Sequence, residues 1–164
     1  MERILPENYA SLDVFVINLV GFDEFDLADQ FGSPALGLKK IESVISDFIG
    51  NNSLCTLTLS KISAEDDSII SEEKFDEMRT TEYWNNYIGG DDSDVIVEQD
   101  MMGGTYLSIN FESGSDSSIK HEVWIMLRDS VVTFFRAERK IVVTTKPLFS
   151  KEPYTSAEIC VKSN

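Results

Sequence analysis

The most constraining feature of this sequence is a series of short segments, beginning at Val95, in which apolar and polar residues alternate. Such alternation is typical of strands that bury one face of an antiparallel sheet. We predict strands at Val95–Glu98, Tyr106–Phe111, Ile119–Leu127, Val131–Phe135, Ile141–Thr145 and Ala157–Val161. The serine-rich stretch Ser113–Ser118 predicts a hairpin loop between two of them.

The first part of the chain adds two strands and a well-marked helix. Asp13–Val20 is apolar on both parities and predicts a strand, and alternation predicts another at Cys55–Ser60. Ser33 and Pro34 form a helix start, apolar residues follow at helical spacing, and Gly50 ends the pattern. The stretch Asp23–Phe31 predicts a short acidic amphipathic turn or helix.

A second long helix is predicted over about Ser71–Ile88. Its apolar residues fall near one face of a helix, and Gly89 and Gly90 follow it. These apolar residues are Phe75, Met78, Trp84, Tyr87 and Ile88.

Helices in the first half and strands in the second half predict an α+β fold. We find no internal repeat and no linker-like stretch, so residues 1–164 are expected to form a single globular domain. The expected architecture is a mostly antiparallel sheet with about two to three helices packed on one face.

The N-terminal sequence lacks the basic region and the cleavage site of a signal peptide, and the longest apolar run is too short to span a bilayer. The two cysteines, Cys55 and Cys160, are far apart and belong to no metal-binding motif, so both are interpreted as small buried apolar residues. These observations predict a cytoplasmic protein without a metal or another cofactor.

The charge of the chain is its strongest functional signal. The formal net charge is −15, which argues against binding to nucleic acid or to anionic membranes. Residues 65–100 contain thirteen acidic and two basic residues, so much of the excess lies in one segment. The two interpretations left open are a solvated face that maintains solubility and a landing surface for a basic protein.

The binding interpretation is favoured by aromatic residues that lie among the acids, since aromatics beside charges are typical of interface hot spots. Tyr83 is the candidate anchor, because Trp84 and Tyr87 fall on the expected core stripe. The candidate partner-binding residues are Glu72, Glu73, Asp76, Glu77, Tyr83, Asp91, Asp92 and Asp94.

No catalytic motif stands out, and we do not expect an enzyme. The single histidine, His121, falls on the apolar parity of a predicted strand and is interpreted as a core or strand-end residue. Asp129 followed by Glu138 and Lys140 resembles a metal-dependent nuclease pattern, but the pattern is short and the protein is acidic. The Asp91–Asp94 stretch lacks the glycine and the spacing of a calcium-binding loop.

A small, acidic α+β chain with the segments Ala64–Met78 and Gly89–Asp100 resembles bacterial immunity proteins, including those of contact-dependent growth inhibition systems. The resemblance covers size, acidity and architecture only. It implies that the protein blocks a nuclease-type toxin by covering its basic active site, with the acidic candidates facing that site and Tyr83 in a pocket.

Two other interpretations stay open. A secretion chaperone is also small and acidic, but it acts as a dimer with exposed apolar grooves, whereas we favour a monomer. A DNA-mimic inhibitor would present carboxylates at the spacing of duplex phosphates.

Overall fold

The computed structural model describes residues 3–82, 93–113, 119–145 and 151–162. Within these residues the chain forms two α-helices, α1 (Glu24–Phe31) and α2 (Pro34–Ile49), and nine strands. The strands are β1 (Val14–Asn18), β2 (Leu54–Ile62), β3 (Ile69–Thr80), β4 (Val95–Gln99), β5 (Thr105–Ser113), β6 (Lys120–Met126), β7 (Ser130–Phe135), β8 (Lys140–Thr145) and β9 (Tyr154–Val161). The prediction of an α+β fold with a mostly antiparallel sheet is confirmed.

Both helices begin at side-chain caps. Asp23 accepts hydrogen bonds from the backbone N–H groups of Phe25 and Asp26, and it forms a capping box with Asp26. Ser33 caps α2, with Pro34 in its first turn, and Gly50 follows its last residue as predicted. The two helices pack closely at Gly37, where a Cβ atom would lie 2.9 Å from Leu27 Cδ2.

The strands form one sheet in the order β1-β7-β8-β9-β2-β3-β5-β4, with β6 paired to the other edge of β5. Every pairing is antiparallel. The Thr145 hydroxyl on β8 donates to the carbonyl of Met126 on β6 at 2.9 Å, although these strands lie far apart in the sheet order. The sheet must therefore curl to bring β6 and β8 together.

One face of the sheet and helix α2 enclose the core. Helix α2 contributes Ile41, Val44, Ile45 and Ile49, all buried. Aromatic stacking extends the core across the sheet, since the rings of Phe15 and Phe134 stack with centroids 4.4 Å apart. The edge of β4 is also covered by α2, because Glu42 accepts a hydrogen bond from the Val97 N–H at 2.9 Å.

Strands β3 and β4 lie end to end along the same edge of β5. Thr80 pairs with Phe111, and Val95 pairs with Ile109. Between these pairs, the Asn110 carbonyl accepts a hydrogen bond from Thr81 N–H, and the Asn110 N–H donates to the Asp94 carbonyl. Thr81 and Asp94 therefore both bond to the backbone of a single residue of β5.

The predicted helix over about Ser71–Ile88 is wrong for its described part, because residues 69–80 are strand β3. Pairing with β2 along nearly the whole of β3 outweighs the helical preference of the glutamates in this segment.

Among the described residues, no helix is long and apolar enough to cross a membrane.

Candidate functional site

Four of the predicted acidic residues lie on β3, and we call β2, β3 and the turn between them the acidic hairpin. Residues 69–77 of β3 are all exposed. The acids of this hairpin are Glu65, Asp66, Asp67, Glu72, Glu73, Asp76 and Glu77. The structure therefore places four of the candidate binding residues together on one strand.

A strand orders these acids differently from the predicted helix. Successive side chains of a strand point to opposite faces of the sheet. Glu73 is paired with Leu59, and Glu72 is paired with Ser60. Glu73 thus lies on the core side of the sheet and Glu72 on the outer side, so the acidic hairpin carries negative charge on both faces.

A bulge in β3 interrupts this alternation. Leu57 pairs with Phe75 and Cys55 pairs with Met78, so two steps on β2 correspond to three steps on β3. The extra residue is accommodated with Glu77 in the left-handed region at φ 56°. Bulges of this kind bend a strand and increase its twist, which contributes to the curl of the sheet.

In the part of the chain that the structure describes, one edge of β3 has no partner strand over most of its length. In the described part of the chain, residues 69–77 pair only with β2, because β5 reaches only Met78, Arg79 and Thr80. An unpaired edge presents backbone N–H and C=O groups to solvent. The charges on this edge are an ordinary protection against aggregation, and their sign is complementary to that of a basic surface.

Local hydrogen bonds fix the turn of the acidic hairpin. The hydroxyl and the N–H of Ser68 both donate to Asp66, and these bonds lower the pKa of Asp66. The Tyr154 hydroxyl donates to Asp67 at 2.9 Å, which raises the pKa of Tyr154. Asp66 therefore keeps its negative charge to a lower pH than an ordinary aspartate.

Asp94 was expected to be exposed and to contact a partner, but the structure places it in the interior. It is only 1% exposed, and its Oδ2 accepts a hydrogen bond from the Asn52 N–H at 2.7 Å. Because this carboxylate is buried and joins two parts of the fold, it is not available to a partner. The other predicted residues Tyr83, Asp91 and Asp92 lie outside the described residues.

A cleft opens beside the acidic hairpin, between β3 and β6. Its volume is about 400 Å³, and Leu59, Ile125 and Val143 are among its apolar lining residues. Lys61 and Glu73 line it from the hairpin, and Trp124 and Met126 line it from β6. We call this space the strand cleft.

Trp124 is the exposed aromatic residue of the strand cleft. It is 51% exposed, and it packs edge to face against Tyr106 with ring centroids 5.8 Å apart. Met126, next to it on the same face of β6, is 44% exposed. An exposed aromatic ring held in place by a second ring is suited to anchor a protein partner.

Sequence reasoning missed Trp124, although a signal was present. The prediction assigned Ile119, Val123, Ile125 and Leu127 to the buried face of β6, which left Trp124 and Met126 on the solvent side. Two large apolar residues on the solvent parity of one strand indicate a contact surface. His121, assigned to the buried parity, is exposed near the start of β6.

The residues that suggested a nuclease do not converge. Asp129 precedes β7 and Glu138 follows it, so a six-residue strand of roughly 20 Å separates them. Glu138 instead forms an ion pair with Lys140 at 3.1 Å. Within the described ranges, no group of three or more His, Cys, Asp or Glu side chains is arranged to hold a metal ion.

Comparison of the chain with protein-family models gives no match, and comparison with curated proteins and with solved structures gives none either.

Proposed function

We propose that this chain is an acidic, non-enzymatic cytoplasmic protein that neutralises a basic protein, most specifically an immunity protein that covers the active site of a nuclease-type bacterial toxin. The observation that carries the proposal is the group of exposed acids on the acidic hairpin. Glu72, Glu73, Asp76 and Glu77 are all exposed there. A basic cleft that binds nucleic acid is complementary to such a surface.

The strand cleft supports the proposal because it supplies apolar contact surface, which the charges do not provide. Exposed charges accelerate the encounter between proteins, but tight binding depends on buried aromatic and apolar contacts. Trp124 and Met126 provide apolar surface directly beside Glu73. A single partner can therefore contact the acids and the aromatic ring at once, with Trp124 in the anchoring role that the sequence assigned to Tyr83.

The first test is affinity capture from a lysate of the source cells at about 50 mM and about 500 mM salt. The Debye length falls from roughly 14 Å to roughly 4 Å between these conditions. We expect one basic protein retained at both salts, and we expect its nuclease activity to fall when the purified acidic protein is added. A monomer on gel filtration is expected, whereas a dimer would favour the chaperone interpretation.

Two charge variants with equal change in net charge then locate the interface. Glu72→Gln with Glu73→Gln should slow association at low salt. Asp13→Asn with Asp47→Asn, two exposed positions that line neither cleft, is the matched control and should change the rate less. Equal effects of the two pairs would show that only overall charge matters and would remove the acidic hairpin from the interface.

Trp124→Ala tests the anchor separately. Truncation of a central aromatic residue should accelerate dissociation at least about fivefold with little effect on association. Val14→Ala is the control, since Val14 is 53% exposed and lines neither the strand cleft nor the acidic hairpin. Capture of many proteins, all lost at about 500 mM salt, would contradict the inhibitor proposal altogether.

A further inference from the structure

A second cleft lies between the helices and the β4–β5 hairpin, and it shares no lining residue with the strand cleft. We call it the helix cleft. Its volume is about 370 Å³, within the range of ligand-binding pockets. Its inner wall is apolar and includes Leu19, Ile41 and Leu127, which are 7%, 1% and 0% exposed.

Unusually exposed apolar side chains stand around the helix cleft. Phe25, in the first turn of α1, lines the cleft and is 71% exposed. Met101 and Met102, in the β4–β5 turn beside the lining residue Gly103, are 104% and 91% exposed. Exposed apolar side chains grouped around an apolar cavity mark an interaction site, and methionine adapts readily to the shape of a partner.

The β4–β5 turn that carries both methionines is held by its own hydrogen bonds. Asp100 Oδ1 accepts from the Met102 N–H at 3.0 Å and from the Gly104 N–H at 2.7 Å. The Asp100 N–H also donates to the Gly104 carbonyl at 2.8 Å. These bonds within the turn hold its backbone, and Met101 and Met102 project from it into solvent.

The charges at the helix cleft favour a basic occupant. Asp23 and Glu24 line it, and Arg128 is the one basic residue among its lining residues. Asp26, Asp29 and Asp100 add negative charge on α1 and on the turn, and Asp23 and Asp26 are engaged in the capping box. A second copy of this chain is disfavoured as the occupant, because both copies carry a net charge of −15.

We infer that the helix cleft binds a protein segment in which a bulky apolar side chain is flanked by lysine or arginine. The apolar side chain would enter the cavity between Phe25 and Leu127, and the basic residues would lie near Glu24 and Asp100. This inference stands apart from the proposed function, since it depends on a different cavity and needs no toxin.

The methionine methyl groups provide separate reporters for the two clefts. Met101 and Met102 report on the helix cleft, and Met126 reports on the strand cleft. The protein with ¹³C-labelled methionine methyls is titrated with three peptides. The first has a central Leu-Phe pair between two lysines on each side, the second has Ser-Ser in place of Leu-Phe, and the third has glutamates in place of the lysines.

We expect saturable shifts of the Met101 and Met102 methyls with the first peptide and much weaker shifts with the other two. Phe25→Ser should weaken binding at least about fivefold. Val14→Thr, which replaces another exposed apolar side chain away from the helix cleft, should leave binding unchanged. Because Phe25 and Val14 are 71% and 53% exposed, neither change should unfold the protein.

Several results would overturn the inference. Shifts confined to Met126 would place the peptide in the strand cleft. Equal shifts with the Ser-Ser peptide would show attraction by charge alone. Shifts that grow with protein concentration in the absence of peptide would identify a second copy of the chain as the occupant, and the absence of any shift at millimolar peptide would exclude the site.

Discussion

The carboxylate of Asp94 and the backbone of Asn52 are joined by a 2.7 Å hydrogen bond across 42 positions of sequence. Asn52 lies after α2 in the left-handed region, at φ 53°, and its carbonyl accepts a bond from Arg79 Nη1 at 2.9 Å. Asp94 directly precedes strand β4. The bond therefore attaches the end of α2 to the point where β3 and β4 meet along β5.

Replacement of Asp94 by alanine should lower the free energy of unfolding by about 1–3 kcal/mol, because the hydrogen bond from the Asn52 N–H to a charged carboxylate would be lost. Urea unfolding at pH 7 measures the change. Asp76→Asn on the exposed part of β3 is the control and should stay within about 0.5 kcal/mol of the parent. Similar values for both variants would show that the Asp94 bond contributes no stability.

At the bulge of β3, glycine should be more favourable than valine. A left-handed backbone disfavours β-branched residues by about 1–2 kcal/mol, so Glu77→Gly should be more stable than Glu77→Val. Lys74 pairs with Thr58 in regular strand geometry, so Lys74→Val should be more stable than Lys74→Gly, by up to about 1 kcal/mol. Thermal unfolding of the four variants tests the prediction, and the same order at both positions would contradict it.

The contact between α1 and α2 should not tolerate a side chain at Gly37. A Cβ atom there would lie 2.9 Å from Leu27 Cδ2 and 3.2 Å from Phe31 Cδ2. Gly37→Val should therefore lower stability by about 1–3 kcal/mol through overpacking. Ala35→Val, at an exposed position of the same helix, should lower it by no more than about 0.7 kcal/mol. Equal losses would mean that the helices can separate at Gly37 without penalty.

The buried thiol of Cys55 should stay unreactive at pH 8. Burial raises its pKa from 9.0 to about 12, and burial also raises the pKa of Cys160. A Cys160→Ser variant leaves Cys55 as the single thiol, and a thiol reagent should label it only after unfolding. Labelling of the folded variant at the rate of a free thiol would contradict the burial of Cys55.

The same pKa shift makes stability depend on pH in alkaline solution. Between pH 9 and about 12 the unfolded chain has lost the Cys55 proton while the folded chain retains it, so stability falls as pH rises. The free energy of unfolding of Cys55→Ala, measured with urea, should fall less steeply between pH 8 and pH 10 than that of the parent. Equal slopes would show that the thiol does not contribute.

The sequence was most informative where local signals decide the structure. The cap at Ser33, the first-turn Pro34 and the terminal Gly50 predicted α2 correctly, because these residues act within a few positions of themselves. The strands of the second half were also predicted to within a few residues, because burial of one face produces a pattern with a period of two.

The prediction failed at β3 for a physical reason. Phe75 and Met78 are three residues apart and both lie on the core side, which is the spacing of a helix face. The bulge produces this spacing in a strand by adding one residue between two core positions. Its cause is the pairing with Leu57 and Cys55, which is a tertiary feature that the local sequence of β3 does not reveal.

The candidate site was partly predictable for a similar reason. A cluster of acidic residues in a sequence predicts an exposed surface, and Glu72, Glu73, Asp76 and Glu77 are exposed as expected. Asp94 has the same composition around it, yet its partner is the backbone of Asn52, 42 residues away. Trp124 belongs to the site through the curl of the sheet, which brings β6 near the acidic hairpin.

The end-to-end arrangement of β3 and β4 couples the alignment of these two strands. The backbone of Asn110 bonds to both Thr81 and Asp94 at one edge of β5. A slip of β5 by one residue would therefore change the register of β3 and of β4 together. Errors in the alignment of the two strands are for this reason correlated rather than independent.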